Sequence, residues 1–255
     1  QKYPIFSAEP KVSKEIEADK LWKKIVHNAW KSAEPGILFW DTVINESVPD
    51  CYADLGYKTV STNPCGEIPL CPYDSCRLLA INLFSYVEEP FTENAHFNYE
   101  LFKKHISAAQ SIMDDIIDLE LEKIDNIIGK IDADPENEEV KAVEKNLWLN
   151  IRKKAHEGRR TGIGITAEGD MLAGLGIKYG SKEGIDFSVD IHKSIAVEAY
   201  RASVETAKER GAFGIFDSER EKNNPFILRL KEADEKLYYD MLEHGRRNIA
   251  LLTIA

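Results

Sequence analysis

"STNPCGEIPLCPYDSCRLLAINL", residues 61–83, holds three of the chain's four cysteines and passes from turn-forming to strand-forming residues within a few positions. Between Val48 and Tyr73 the chain is dense in Pro, Gly, Asn and Asp, which predicts an irregular loop. The thiols therefore sit on a loop, and "RLLAINLFSYV" after them reads as a short apolar strand. Asn63, Cys65 and Glu67 alternate along "NPCGE". In an extended loop pinned by Pro64 all three side chains face one side, while Gly66 lets a substrate come close to the backbone. No Lys or His lies in this loop to favour a thiolate. A neutral, shielded thiol beside an amide and a carboxylate is the local reading.

Working outward, residues 13–31 place Ile16, Leu21, Trp22, Ile25, Val26, Ala29 and Trp30 at helical spacing, with Ser13 as the cap. "GILFWDTVI" reads as extended. Residues 98–131 form a long helix with Leu101, Phe102, Ile106, Ala109, Ile112, Met113, Ile116 and Ile117 inward. The acidic "DADPENEEV" breaks it, and a second helix runs from Val140 to His156. Residues 120–157 are read as a helical insertion. A glycine-rich stretch then enters a helix near Ala167–Leu175, and residues 183–210 form another, with Ile191, Ile195, Ala199 and Val204 inward. "ERGAF" is its exit. The closing "RRNIALLTIA" is apolar and β-like.

The 255 residues are 43 % apolar and 30 % charged, enough for one large or two small domains with a real core. A net charge of −11 excludes a general nucleic-acid or anionic-membrane binder, whose affinity comes from Lys and Arg. No segment is apolar enough to span a bilayer and no signal peptide opens the chain, so a cytoplasmic location is expected. Four cysteines are too few for a secreted disulfide scaffold. Gln1 and the abrupt apolar end lead to the expectation that the chain is a fragment.

Other motifs carry less. "GIGITA", residues 162–167, matches a dinucleotide fingerprint, but a basic helix end precedes it where that fingerprint needs a buried strand, so close backbone packing at a helix entry is the preferred reading. The histidines are scattered. Cys65, Cys71 and Cys76 lack knuckle spacing for structural zinc. Arg246 and Arg247 read as solvated helix-end residues, with a phosphate clamp as the alternative.

The combination resembles the large subunit of ribonucleotide reductases. "EPGILFWDTVI", "STNPCGEIPL", "YDSCRLLAINL", "RRTGIGITAEGDMLAGLGIKYGS", "ERGAF" and "GRRNIALLTIA" fall in the family's order and cover most of the chain. Cys-Gly-Glu after Asn-Pro, with Ser-Cys downstream, resembles the adenosylcobalamin-dependent class II enzymes more than class I.

The resemblance implies an α/β fold: a helix-rich part of the ten-stranded barrel, with residues 1–255 in one catalytic domain and a central finger loop. It implies reduction of ribonucleotides to deoxyribonucleotides, an oxidoreductase of the ribonucleoside-diphosphate reductase type that is inactive as this fragment alone. Cys65 would carry a transient thiyl radical that removes the ribose 3′ hydrogen. Glu67 would be general base on the 3′ hydroxyl, and Asn63, Glu67 and Ser75 would contact substrate. Cys76 would be half of a redox disulfide restored by thioredoxin or a glutaredoxin-like carrier. Adenosylcobalamin would be the cofactor, with its binding residues unassigned.

Departures accompany the match. The family's partner for Cys76 comes from an earlier strand outside this chain, with Cys51 and Cys71 as conceivable substitutes. The effector loops and first half of the barrel are expected upstream, and the substrate-phosphate loop downstream. The remaining segments of the enzyme are thus expected partners, and the full enzyme is a candidate homodimer. Two alternatives stay open: a class I subunit served by a separate radical-generating metal subunit, and a non-enzymatic cysteine-loop metal or scaffold module.

Overall fold

The computed structural model describes residues 14–75 and 77–253. Ser13, the expected cap, and Cys76 lie outside the described residues. The chain divides into two compact units, residues 1–40 and 41–255. In the first, helix α1 (Ala18–Ser32) ends at Ala33, which adopts the left-handed conformation with φ 60°. The helix starts later than its apolar spacing predicts, and its N-cap, Glu17, makes no side-chain capping bond. None of its residues is buried, and Trp22, Val26 and Trp30 form an exposed apolar stripe.

Helix α2 (Trp40–Glu46) replaces the extended segment expected there. Its aromatic and β-branched residues suggest a strand, but Trp40, Val43 and Ile44 also recur at helical spacing and are all half-buried. A 3₁₀ turn, Val48–Leu55, carries Pro49 as its second residue and stops at Gly56, φ 88°. The loop expected over 48–73 is thus partly regular. It also contains an antiparallel hairpin of β1 (Ser61–Thr62) and β2 (Pro69–Leu70).

Strand β3 (Leu78–Asn82) follows, as expected, and runs into a 3₁₀ turn, Leu83–Tyr86. The short pair β4 (Val87–Glu88) and β5 (His96–Phe97) leads to helix α3 (Tyr99–Ala133), capped by the Asn98 side chain. Helix α4 (Glu138–Gly158) returns alongside α3, and strand β6 (Gly162–Thr166) pairs in parallel with β3, from Leu78↔Gly162 to Asn82↔Thr166. Parallel strands need such a crossover. Helices α5 (Glu168–Gly174), α6 (Lys182–Arg210), α7 (Ser218–Glu221), α8 (Pro225–Ala233) and α9 (Glu235–His244) complete the fold.

The C-terminal run forms a parallel ladder on the other edge of β6. Thr161 N donates to Ala250 O (2.9 Å), Ile163 N to Leu251 O (2.7 Å) and Thr253 N to Ile163 O (3.1 Å). Strand β6 therefore lies between β3 and the chain's last described residues.

The main core packs this sheet against α3 and α6. Phe102, Ile106, Ala109, Met113 and Ile117 of α3 are buried, as are Ile191, Ile195, Ala199 and Val204 of α6. Leu101, Ile112 and Ile116, expected inward, are exposed. The buried stripe advances by three or four residues at a time and these three positions flank it. Among the described residues no helix is long and apolar enough to cross a membrane.

Candidate active site

Hairpin β1–β2 presents the sequence-predicted residues. Its base is closed by Val60 N to Leu70 O (3.0 Å) and Asn63 N to Ile68 O (3.3 Å). The Asn63 side-chain Oδ1 accepts Ile68 N at 3.0 Å, and Gly66 N donates to Asn63 O at 3.0 Å. Asn63–Gly66 is therefore a reversing turn rather than an extended run, so alternation does not decide where residues 63, 65 and 67 point. Asn at the first position, Pro64 with its fixed φ at the second, and Gly66 at φ 77° together favour that turn.

Cys65, at the tip, is exposed. Among the described residues nothing supplies the shielding expected of this thiol, since a tip between two-residue strands buries nothing by itself. Glu67 differs: its Oε2 is buried and has no hydrogen-bond partner among the described residues. A buried carboxylate oxygen left without a donor is unfavourable by about 1–3 kcal/mol, so this atom is poised for a donor from outside.

The hairpin is held from beneath. Thr253 Oγ1 donates to Glu67 O (3.1 Å), and Ile68 is buried against Gly162, where a Cβ would stand 2.9 Å from Ile68 Cδ1 and 3.0 Å from Arg77 O. This gives the first glycine of "GIGITA" its role. Its first five residues are the strand β6, so it is not a phosphate turn; the expected close packing is at Gly162, and the expected helix entry is its last residue, Ala167, which caps α5.

Beyond β2 the chain turns again. Asp74 N donates to Cys71 O (3.3 Å) and Tyr73 takes the left-handed conformation, φ 64°. Cys71 is buried among Tyr52, Tyr57, Phe213 and Ile249. Burial, reinforced by the Asp74 carboxylate 3.6 Å from its sulfur, pushes its thiol up to about 11. Burial and then Glu221 also push the half-buried Cys51 thiol upward. Both are free thiols. Ser75 N donates to Asp74 Oδ1 (2.9 Å), and its hydroxyl reaches Glu120 Oε1 at 3.5 Å.

Buried charge surrounds these turns, and sequence reasoning missed it. Arg160 Nε donates to Asp74 Oδ2 at 2.6 Å, with both side chains at most 3 % exposed. Arg77 pairs with Glu120, its Nη2 reaching Oε1 at 2.8 Å, and sends Nη1 to Arg160 O at 2.9 Å. Arg159 Nε meets Asp114 at 2.8 Å and its Nη1 meets Asp118 at 2.7 Å. The only available signal was the Arg-Arg pair after α4, which reads equally well as a solvated helix end.

Arg246 and Arg247 are not solvated helix-end residues either. Arg246 is fully buried: it pairs with Glu221 (Nη2–Oε1 2.9 Å), which also accepts Tyr52 OH at 2.6 Å. Arg247 reaches Asp114 at 3.2 Å. Internal carboxylates thus occupy both guanidinium groups, which answers the phosphate-clamp alternative. Among the described residues no three His, Cys, Asp or Glu side chains converge as a metal site.

Comparison with known proteins agrees with this architecture. The family described as "Ribonucleotide reductase, barrel domain" matches residues 1–255. The chain is 30% identical over 213 residues to the vitamin B12-dependent ribonucleoside-diphosphate reductase of Thermoplasma acidophilum, covering 83% of this chain and 24% of that protein. It is 29% identical over 210 residues to the enzyme of the same name from Mycobacterium tuberculosis, covering 82% and 26%. It is also 30% identical over 218 residues to the ribonucleoside-diphosphate reductase subunit alpha of Chlamydia pneumoniae, covering 84% and 18%. The class Id ribonucleotide reductase alpha subunit of Actinobacillus ureae shares the fold, with a TM-score of 0.60 at 19% identity over 93% of this chain and 36% of that one.

The chain belongs to the ribonucleotide reductase barrel-domain family, and its fold is a helix-rich, mixed α/β part of that barrel. It spans about a quarter or less of the length of these curated relatives.

Proposed function

We propose that these 255 residues are the catalytic-loop portion of a ribonucleotide reductase that replaces the ribose 2′ hydroxyl by hydrogen. The observation that carries this reading is the hairpin itself: an exposed Cys65 sulfur at the tip and an unpartnered, buried Glu67 oxygen just after it, in a chain of this family. Cys65 exchanges one hydrogen atom with the ribose C3′. Glu67 takes the proton of the 3′ hydroxyl, a role for which a carboxylate must lie within hydrogen-bond reach. The Asn63 amide orients the sugar, with Ser75 as a further substrate contact.

Two thiols, Cys76 and one contributed by the rest of the enzyme, become a disulfide. Their two electrons and two protons leave the sugar with a new C2′–H bond and release the hydroxyl as water. A thioredoxin- or glutaredoxin-like dithiol resets the pair.

The radical source follows the relatives' names. Two are called vitamin B12-dependent, and the exposed sulfur of Cys65 is open to such a group from its solvent side. When bound, adenosylcobalamin supplies the initiating radical; this chain's part is to present Cys65. Shielding of the tip during reaction then falls to the remaining segments of the enzyme. The subunit-alpha name of the chlamydial relative favours a second reading, a class I enzyme with a separate radical subunit. A cob(II)alamin signal by electron paramagnetic resonance in the complete enzyme plus adenosylcobalamin separates the two.

We further assign residues 1–255 to one catalytic barrel domain, residues 120–157 to a helical insertion, the enzyme to the cytoplasm, and its assembly to a homodimer. The decisive test is Cys65→Ser in the complete enzyme: deoxynucleotide formation is lost while the melting temperature is kept. Retained activity would refute the assignment.

A further inference from the structure

Glu67 stands in the turn of its hairpin, past the last rung of the ladder. That rung is Asn63 N to Ile68 O at 3.3 Å, and Gly66 on the other side of Glu67 is left-handed, φ 77°. The bond that holds Glu67 itself comes from the far end of the chain: Thr253 Oγ1 donates to its carbonyl at 3.1 Å, across 186 residues. Thr253 is anchored in turn, because its N–H donates to Ile163 O at 3.1 Å in the ladder on β6. One residue thus joins the sheet by its main chain and the hairpin turn by its side chain.

Threonine suits that task. Two heavy atoms on its Cβ restrict χ1, so the hydroxyl of a strand residue points in a nearly fixed direction. Thr253 is half-buried, and a valine would fill the same space, so packing alone does not call for the oxygen. Ile68, the next residue along from Glu67, is located by two further contacts: its N–H on Asn63 Oδ1 at 3.0 Å and its side chain against Gly162. With the Glu67 carbonyl and Ile68 both held, the main chain at residue 67 has a set course. It is from this held main chain that the carboxylate presents its buried Oε2, which has no partner among the described residues.

We infer that Thr253 is a positioning residue for the general base: its hydroxyl holds the main chain of Glu67 so that the carboxylate stays within reach of the ribose 3′ hydroxyl. The inference rests on the reading of Glu67 as that base. Thr253 takes no proton; the proton passes from the 3′ hydroxyl to Glu67. A general base must lie within hydrogen-bond reach, and a misplacement of about 1 Å can slow a reaction by about a hundredfold. Freeing Glu67 is therefore expected to lower turnover and leave substrate binding alone.

The test uses the complete reductase. Thr253→Val keeps the shape and removes the donor, whereas Thr253→Ser keeps the donor; melting temperatures report folding. Thr253→Val is expected to lower kcat by about tenfold to a hundredfold with KM unchanged, and Thr253→Ser to recover most of the loss. The valine change is then made on Glu67→Gln. Once the base is gone its placement no longer matters, so the double variant is expected to be no slower than Glu67→Gln alone. A wild-type kcat in Thr253→Val overturns the inference, as does an effect confined to KM. Equal losses in the valine and serine variants, or a valine loss that multiplies undiminished with that of Glu67→Gln, overturn it too. If Thr253→Val does not fold, Thr253→Ala set against Thr253→Ser makes the same comparison. A Glu67→Gln enzyme with wild-type kcat would show instead that the reading of the base has failed, whatever Thr253 does.

Discussion

Cys65 and Cys71 lie six residues apart and occupy opposite environments. The first is exposed on a hairpin tip, whereas the second is buried with its thiol pushed up to about 11, first by burial and then by Asp74. Iodoacetamide at about pH 8 is therefore expected to label Cys65 in the native protein and leave Cys71 untouched, as peptide mapping would show. The elevated thiol also carries a pH signature. Its folded value lies above the unfolded 9.0, so its stabilising contribution is complete below that value and is lost as pH rises through about 11. Melting curves of wild type and Cys71→Val should converge across that alkaline window. Glu67→Gln is expected to lower kcat by about 10²–10⁴-fold with little change in melting temperature, the range for removing a general base. An unchanged kcat would assign the buried oxygen a structural role.

Gly162 shows how one strand places the site. A methyl group there would meet Ile68 and the carbonyl of Arg77, so Gly162→Ala is expected to destabilise the enzyme by about 1–3 kcal/mol. Hydrogen exchange should show the loss concentrated in β1–β2 and β3. At the other end of the sheet, Arg246 ties Glu221 of α7 to Tyr52 in the 3₁₀ turn before the hairpin, and its guanidinium lies 5.2 Å from the Phe213 ring centre. Arg246→Ala leaves Glu221 buried without its cation, which is expected to destabilise by about 3–5 kcal/mol in thermal or denaturant unfolding. The long helices were legible because their apolar periodicity extends over many turns. Helix α2 was not: in seven residues an aromatic and β-branched composition outweighs the weaker helical period.

The two compact units differ in how their helices are supported. Helices α3 and α6 bury continuous stripes, whereas α1 buries no residue, and an isolated helix of that length is marginal in water. Amides of Ala18–Ser32 in the purified 255-residue chain should therefore exchange far faster than those of the central turns of α3 and α6. Equal protection would mean that α1 is covered in solution.

From the residues alone came the loop that carries the thiols, the long helices, the short strand after the loop and the family, because turn chemistry, periodicity and motif order are local properties of the chain. The reversal at Asn63–Gly66, the exposure of Cys65, the packing role of Gly162 and the burial of Arg77, Arg160 and Arg246 were decided only in three dimensions. An arginine's partner is a carboxylate far away in the chain, 86 residues in the case of Arg160 and Asp74, and no local pattern encodes that pairing. Whether a guanidinium meets water or a buried carboxylate depends on which elements the fold brings against it.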